Sequence, residues 1–108
     1  MKKYVSKSAT LLASISTNTV NPFLLGAPIT NYKYIYITVS ADNCVDHLFL
    51  IASLISDSNK YYYNCWATNS YYVAGHIIFN SSTTVKVSQD EIEGWSGTPG
   101  SVLIYGIN

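Results

Sequence analysis

The sequence predicts an all-β fold: an antiparallel β-sandwich, jelly-roll-like, of about seven or eight strands. Three observations carry that expectation. Apolar residues alternate with polar or aromatic ones over 32–40 and 83–88, the two-residue period of a half-buried strand. β-Branched and aromatic residues, which suit a pleated surface, fill the same stretches. Turn signals such as "GAP", "ADN", "SDSN", "ATNS", "NSS" and "GWSGTPG" recur roughly every 8–12 residues, the spacing of a sandwich. The chain, 1–108, reads as a single domain with no internal repeat or low-complexity block.

The elements follow in order. "TLLASIS" (10–16) and "TVNPFLLG" (19–26) open the strand series. Pro22 cannot donate to a ladder, which points the second towards an edge or a bulge. In "YKYIYITVS" (32–40), Ile35, Ile37 and Val39 share one face and Tyr34, Tyr36 and Thr38 the other. The run 46–56, "DHLFLIASLIS", reads two ways. Leu48, Ile51, Ala52 and Ile55 fit one short helix capped by Asp46. At period two the run is a strand buried on both faces, and its strand neighbours and the turn at 56–59 favour that reading.

"KYYYNCW" (60–66) and "YYVAGHIIF" (71–79) form a hairpin joined by "ATNS". Tyr61, Tyr63 and Cys65 share one face, against Tyr62, Asn64 and Trp66. Beyond it, Tyr71, Val73, Ile77 and Phe79 oppose Tyr72, Ala74, His76 and Ile78. "TTVKVS" (83–88) turns Val85 and Val87 inward, and "SVLIYGI" (101–107) is a terminal strand.

Composition narrows function. Apolar residues make up 48 % of the chain and charged residues 11 %, against about a quarter in ordinary domains. All six basic residues are Lys, they are scattered, and six acids balance them to zero net charge. Nucleic-acid binding needs a basic footprint and phosphate recognition favours the Arg fork, so no nucleic-acid partner is expected. Near-zero charge with many Tyr favours self-association. The N-terminal lysines and the apolar residues after them imitate a secretion signal, but Ser14 and Ser16 interrupt the run, so it reads as mature protein. The richest apolar run, "HLFLIASLIS", is half a bilayer span, and no membrane insertion is expected. Cys44 and Cys65 are too few for a disulfide framework, and reduced, half-buried strand thiols made in a reducing cytosol are expected.

Chemistry-bearing clusters are few. Asp42, Cys44, Asp46 and His47 lie together, but zinc needs four convergent ligands and no second Cys/His pair supports them; a polar loop without metal is expected. Asp90, Glu91 and Glu93 read as solvated acids on a short exposed connection rather than a glycoside-cleaving pair. His76 reads as a strand-face histidine. No nucleophile elbow, phosphate loop or dinucleotide fingerprint is present, so neither an enzyme nor a cofactor is expected.

The candidate binding residues are the outward aromatics and their polar neighbour: Tyr34, Tyr36, Tyr62, Asn64, Trp66 and Tyr72, with Trp95 as a loop anchor between glycines. Tyr and Trp combine large apolar area with a polar tip and few rotors. Sugar rings stack on such side chains while Asn and Ser exchange hydrogen bonds.

The layout "LLASISTNTVNPFLL…ITNYKYIYITVSADN", closing on "SVLIYGIN", resembles the C-terminal receptor-binding head modules of tailed-phage tail fibres and related phage structural proteins. The matching pieces are Asn31 to Val39 and Leu103 to Ile107; the strands between agree in character. The resemblance implies a small sandwich head, usually trimeric, that binds a bacterial surface glycan or protein from the virion tail tip. No fibre shaft or repeat is expected ahead of the module, which is a departure from the pattern. It leaves as an alternative a free-standing phage protein, kept in the host cytoplasm, that sequesters a small host signalling molecule or blocks a host defence protein. A structural virion decoration is the third reading.

Overall fold

A computed structural model describes residues 9–17, 22–41, 44–68, 71–94 and 100–108. Eight strands build it: β1 (Thr10–Ser16), β2 (Phe23–Leu24), β3 (Tyr34–Ala41), β4 (Cys44–Ile51), β5 (Tyr61–Thr68), β6 (Tyr71–Phe79), β7 (Thr84–Glu93) and β8 (Ser101–Ile107). Every pairing is antiparallel. The first sheet has the order β1-β8-β3-β4 and the second β2-β7-β6-β5, an all-β sandwich. β1 pairs with β8 and β2 with β7, so the start of the chain meets its end in both sheets. The hairpin β3–β4 and the meander β5–β6–β7 stay within their own sheets.

Alternation decides which side chains form the core. Ile35, Ile37 and Val39 of β3, Val102 and Ile104 of β8, and Leu12 and Ile15 of β1 point inward from the first sheet. Tyr63, Cys65, Val73, Ile77, Phe79, Val85 and Val87 meet them from the second. Thr17 is the buried polar residue among the described residues. Its hydroxyl donates to Gln89 Oε1 (3.0 Å) and accepts from the Gly100 N–H (2.9 Å), tying β1, β7 and β8 together. Among the described residues no buried side-chain polar atom lacks a partner.

The expected faces of β3, β5, β6 and β7 hold, and β1 and β8 have the expected bounds. Several expectations change. The segment 46–56 is strand to Ile51, then a 3-10 turn at Ala52–Leu54, and the strand is not buried on both faces. β4 lies at the margin of its sheet, so Val45, His47, Phe49 and Ile51 face outward, uncovered by any described residue. Cys44, Asp46 and His47 belong to this strand rather than to a polar loop; Asp42 lies outside the described residues. Of 19–26, only Phe23–Leu24 pairs, at the edge that Pro22 foreshadows.

Asp90, Glu91 and Glu93 also move from a connection to a strand. β7 continues through Glu93 because β6 offers it partners as far as Tyr72, and it ends at Gly94, whose φ of 85° suits glycine. Asp90 is the extra residue of a bulge where Ala74 pairs with Glu91 and Gly75 with Gln89.

Candidate functional site

Two outward sheet faces carry the predicted residues, and they point in opposite directions. On the second sheet, register sets the rows Tyr62–His76–Ser88, Asn64–Ala74–Glu91 and Trp66–Tyr72–Glu93 across β5, β6 and β7. Trp66 and Tyr72 stack with ring centroids 4.4 Å apart and planes 14° from parallel. Trp66 remains 50 % exposed and Tyr62 65 %, so both offer apolar area to a partner. Ala74 is small and sits, with Asn64 and Glu91, between the Trp66–Tyr72 row and the Tyr62–His76 row.

The bulge supplies the polar part of this face. It turns Asp90 outward, where Oδ2 lies 2.8 Å from His76 Nδ1 and fixes the imidazole. Tyr62 packs against the same imidazole at 5.9 Å between centroids. Beneath the bulge, the buried Tyr63 hydroxyl donates to the Ser88 carbonyl (2.8 Å). Burial pushes the Tyr63 phenol far above its ordinary range, and the charges of Asp90 and then Cys65 add to that. It is a structural group rather than an acid–base one.

Tyr34 and Tyr36 lie on the first sheet instead. Tyr34 stacks on Phe49 at 5.1 Å, and Tyr36 stacks on His47 at 5.7 Å with its hydroxyl 2.6 Å from His47 Nδ1. The two sheets are separated by the core, about 10 Å from backbone to backbone, so one small ligand cannot touch both sets. Tyr62, Asn64, Trp66 and Tyr72 come together; Tyr34 and Tyr36 form a separate group. Trp95 lies outside the described residues.

Asn64 has a second role through its backbone. Its N–H points away from β6 and donates to Asp46 Oδ2 (2.8 Å), while Asp46 Oδ1 accepts from the His47 N–H (2.8 Å). An inward-set carboxylate on β4 thereby occupies the edge of β5, where an open strand would invite foreign pairing.

Sequence reasoning missed a cavity of about 310 Å³ at one end of the sandwich. Ile29, Ala52 and Phe79 form its floor, and Thr30, Ser53, Ser56, Asp57, Ser81 and Ser82 its rim. The rim comes from three distant connections, and the one hint in the sequence is the Ser/Asp density of "SDSN" and "NSS".

Both cysteines are free thiols. Cys65 is fully buried and its S–H donates to the Val39 carbonyl (3.2 Å). Burial, reinforced by the Asp46 charge, pushes its pKa up to about 11, so it is no nucleophile at neutral pH. Among the described residues no group of three or more His, Cys, Asp or Glu side chains converges as a metal site. Glu91 and Glu93 project side by side from one strand rather than facing each other across a cleft. Among the described residues no helix is long and apolar enough to cross a membrane. No protein-family model matches the chain, and a search of curated proteins returns no match.

Proposed function

We propose that the chain is a non-enzymatic, homo-oligomeric binding module of phage type that recognises a glycan or protein on the bacterial surface. The observation that carries this reading is the second sheet's outer face. The stacked Trp66–Tyr72 pair and the exposed Tyr62 flank Asn64 and Ala74, with a fixed His76–Asp90 pair beside them. Stacking area beside hydrogen-bonding groups is what a hydroxylated ligand needs, and rings with few rotors lose little entropy on binding. Such a face is shallow, so affinity per copy is low, and copies whose faces point the same way gain avidity. The resemblance to tail-fibre heads supplies the host-surface partner and the expectation of a trimer.

The test is binding of labelled protein to intact bacteria and to a glycan array. Trp66→Ala and Tyr62→Ala remove exposed side chains without touching the core, and each should weaken binding by about tenfold or more. A wild-type protein that binds neither cells nor glycans ends this reading, as does undiminished binding by both variants.

The end cavity favours the second reading, sequestration of a small host molecule inside the cell. About 310 Å³ is at the lower limit for small-molecule pockets, and Asp57 among hydroxyls over an apolar floor suits a compact polyol-like ligand. A small molecule that co-purifies from host lysate and is lost in Asp57→Ala would establish it.

A further inference from the structure

We propose that the outer face of the first sheet is where a second copy of this chain docks, sheet face to sheet face about a twofold axis. The inference rests on the homo-oligomeric part of the reading above, and adds the surface and the symmetry.

Register lays this face out in four rows. They are Ile51–Tyr34–Ile107, Phe49–Tyr36–Tyr105–Leu11, His47–Thr38–Leu103–Ser14 and Val45–Ser40–Ser101–Ser16. Not one Lys, Asp or Glu occurs in them, although the chain has six basic and six acidic residues. The opposite face, by contrast, carries Lys86, Asp90, Glu91 and Glu93. Leu11 (53 %), Val45 (55 %), Phe49 (59 %) and Ile51 (50 %) are exposed here. A contiguous apolar patch of this kind marks an interaction surface.

Part of the polar content of the face is already paired within it. The Tyr36 hydroxyl is already paired with His47 within it (2.6 Å), and the Ser and Thr residues gather at the opposite end from the apolar rows. The size lies at the lower end of what a specific pair needs. Four strands about 4.8 Å apart, with about seven residues at roughly 3.3 Å each, span roughly 19 by 23 Å. With side-chain relief this approaches the ~600 Å² per partner at the lower end of specific interfaces.

Charge identifies the occupant. A partner selected by charge finds nothing to pair with here. The complement of a neutral apolar face is another such face, and the same rows on a second copy provide it. Docking onto the second sheet's face instead would bury Lys86, Glu91 or Glu93 without partners, at a large desolvation cost. A twofold operation matches the face with itself, the commonest symmetry of homo-oligomers, and aligned sheets pack face to face at about −30°. Three flat faces around a threefold axis would be inclined to one another and touch mainly along their margins.

Sedimentation and light scattering on the full chain test this, from about 1 to 100 µM, a range that spans ordinary dimer affinities. Wild type is expected at twice the chain mass. Phe49→Lys and Val45→Lys, each at an exposed position, should weaken association by at least ~30-fold, and Lys86→Glu, exposed on the opposite face, should leave it intact. Circular dichroism confirms that each variant folds, and either first-sheet variant suffices if the other does not. A wild-type monomer throughout the range overturns the proposal and the homo-oligomeric reading together. A wild-type trimer overturns the twofold pair, and so does a dimer that persists in both first-sheet variants; in these cases the homo-oligomeric reading survives. A monomer whose binding to bacteria is lost in Phe49→Lys also overturns it, by assigning the face to the receptor.

Discussion

Gly75→Ala adds one methyl group where β6, β7 and the Tyr63 ring leave no room for it. A Cβ at this position would collide with the Ser88 carbonyl oxygen and the Tyr63 hydroxyl, and would lie 2.6 Å from Tyr63 Cζ. Space, not backbone conformation, is what glycine provides here. To admit the methyl, the Tyr63 ring must swing away and β6 and β7 must also part at their bulge, where the Ser88 carbonyl lies. Tyr63 is 2 % exposed, so displacing it forfeits about 2 kcal/mol of burial, and its hydrogen bond to Ser88 is worth about 1 kcal/mol more. Loss of glycine's freedom in the unfolded chain returns about 0.5–1 kcal/mol. The net is at least about 2–2.5 kcal/mol, a large part of the ~5–15 kcal/mol that holds such a domain. Urea unfolding followed by circular dichroism should show a midpoint lower by about 2 M, with an m-value near 1–1.5 kcal/mol/M. Tyr63→Phe alone should cost about 1 kcal/mol. The double variant should cost less than the sum of the two, because part of the clash has gone, yet stay unstable because the Ser88 carbonyl remains. Stability of Gly75→Ala within ~0.5 kcal/mol of wild type, or strict additivity in the cycle, would refute the reasoning.

Stability should fall in alkali. Cys65 holds its proton up to about pH 11 when folded, above its ordinary 9, so its contribution is complete below pH 9 and is lost as pH rises through 11. Tyr63 has the same sign at higher pH. Between pH 9 and 10 the melting temperature of wild type should fall more steeply than that of Cys65→Ala, and equal slopes would contradict the assignment. Asp46→Ala removes the carboxylate that accepts from the Asn64 and His47 amides. It should cost about 1–2 kcal/mol and speed amide exchange at Asn64; unchanged protection there would show that Asp46 does not hold the β5 edge.

The strands were legible where one face is buried and the other is not. In β3 the parity of Ile35, Ile37 and Val39 fixes the pleat and β8 follows the same rule, whereas a bulge between Leu11 and Ala13 breaks the alternation of β1. β4 was less legible because Val45, Leu48, Phe49, Leu50 and Ile51 are apolar at both parities. Local pattern cannot separate a strand buried on both faces from an edge strand with an uncovered apolar face. The acids of β7 read as turn chemistry because their pairing energy comes from β6, contributed by residues about twenty positions earlier in the chain. Parity likewise showed that Tyr34, Tyr36, Tyr62, Trp66 and Tyr72 point outward. It could not show that the first two lie on one sheet and the other three on its opposite, since that depends on strand order. The end cavity was illegible for the same reason: Thr30, Ser53, Asp57 and Ser82 converge only in the assembled sandwich.

Strand order also explains how one small chain sustains two kinds of surface. The hairpin β3–β4 places Tyr34, Tyr36, Val45, His47, Phe49 and Ile51 on one face without a charge among them. The meander β5–β6–β7 gathers Trp66, Tyr72, His76 and the three acids of β7 on the other. Covering the first with a second copy buries what water tolerates least and leaves the second free on both sides of the assembly. In the dimer proposed above, the faces proposed to bind ligand point apart, so such a pair would link two surfaces rather than grip one with doubled strength. A trimeric head gains avidity on a single cell, whereas a back-to-back dimer does not. The number of copies therefore decides more than stability: it determines whether the same aromatic face acts in attachment to one surface or in bridging between two.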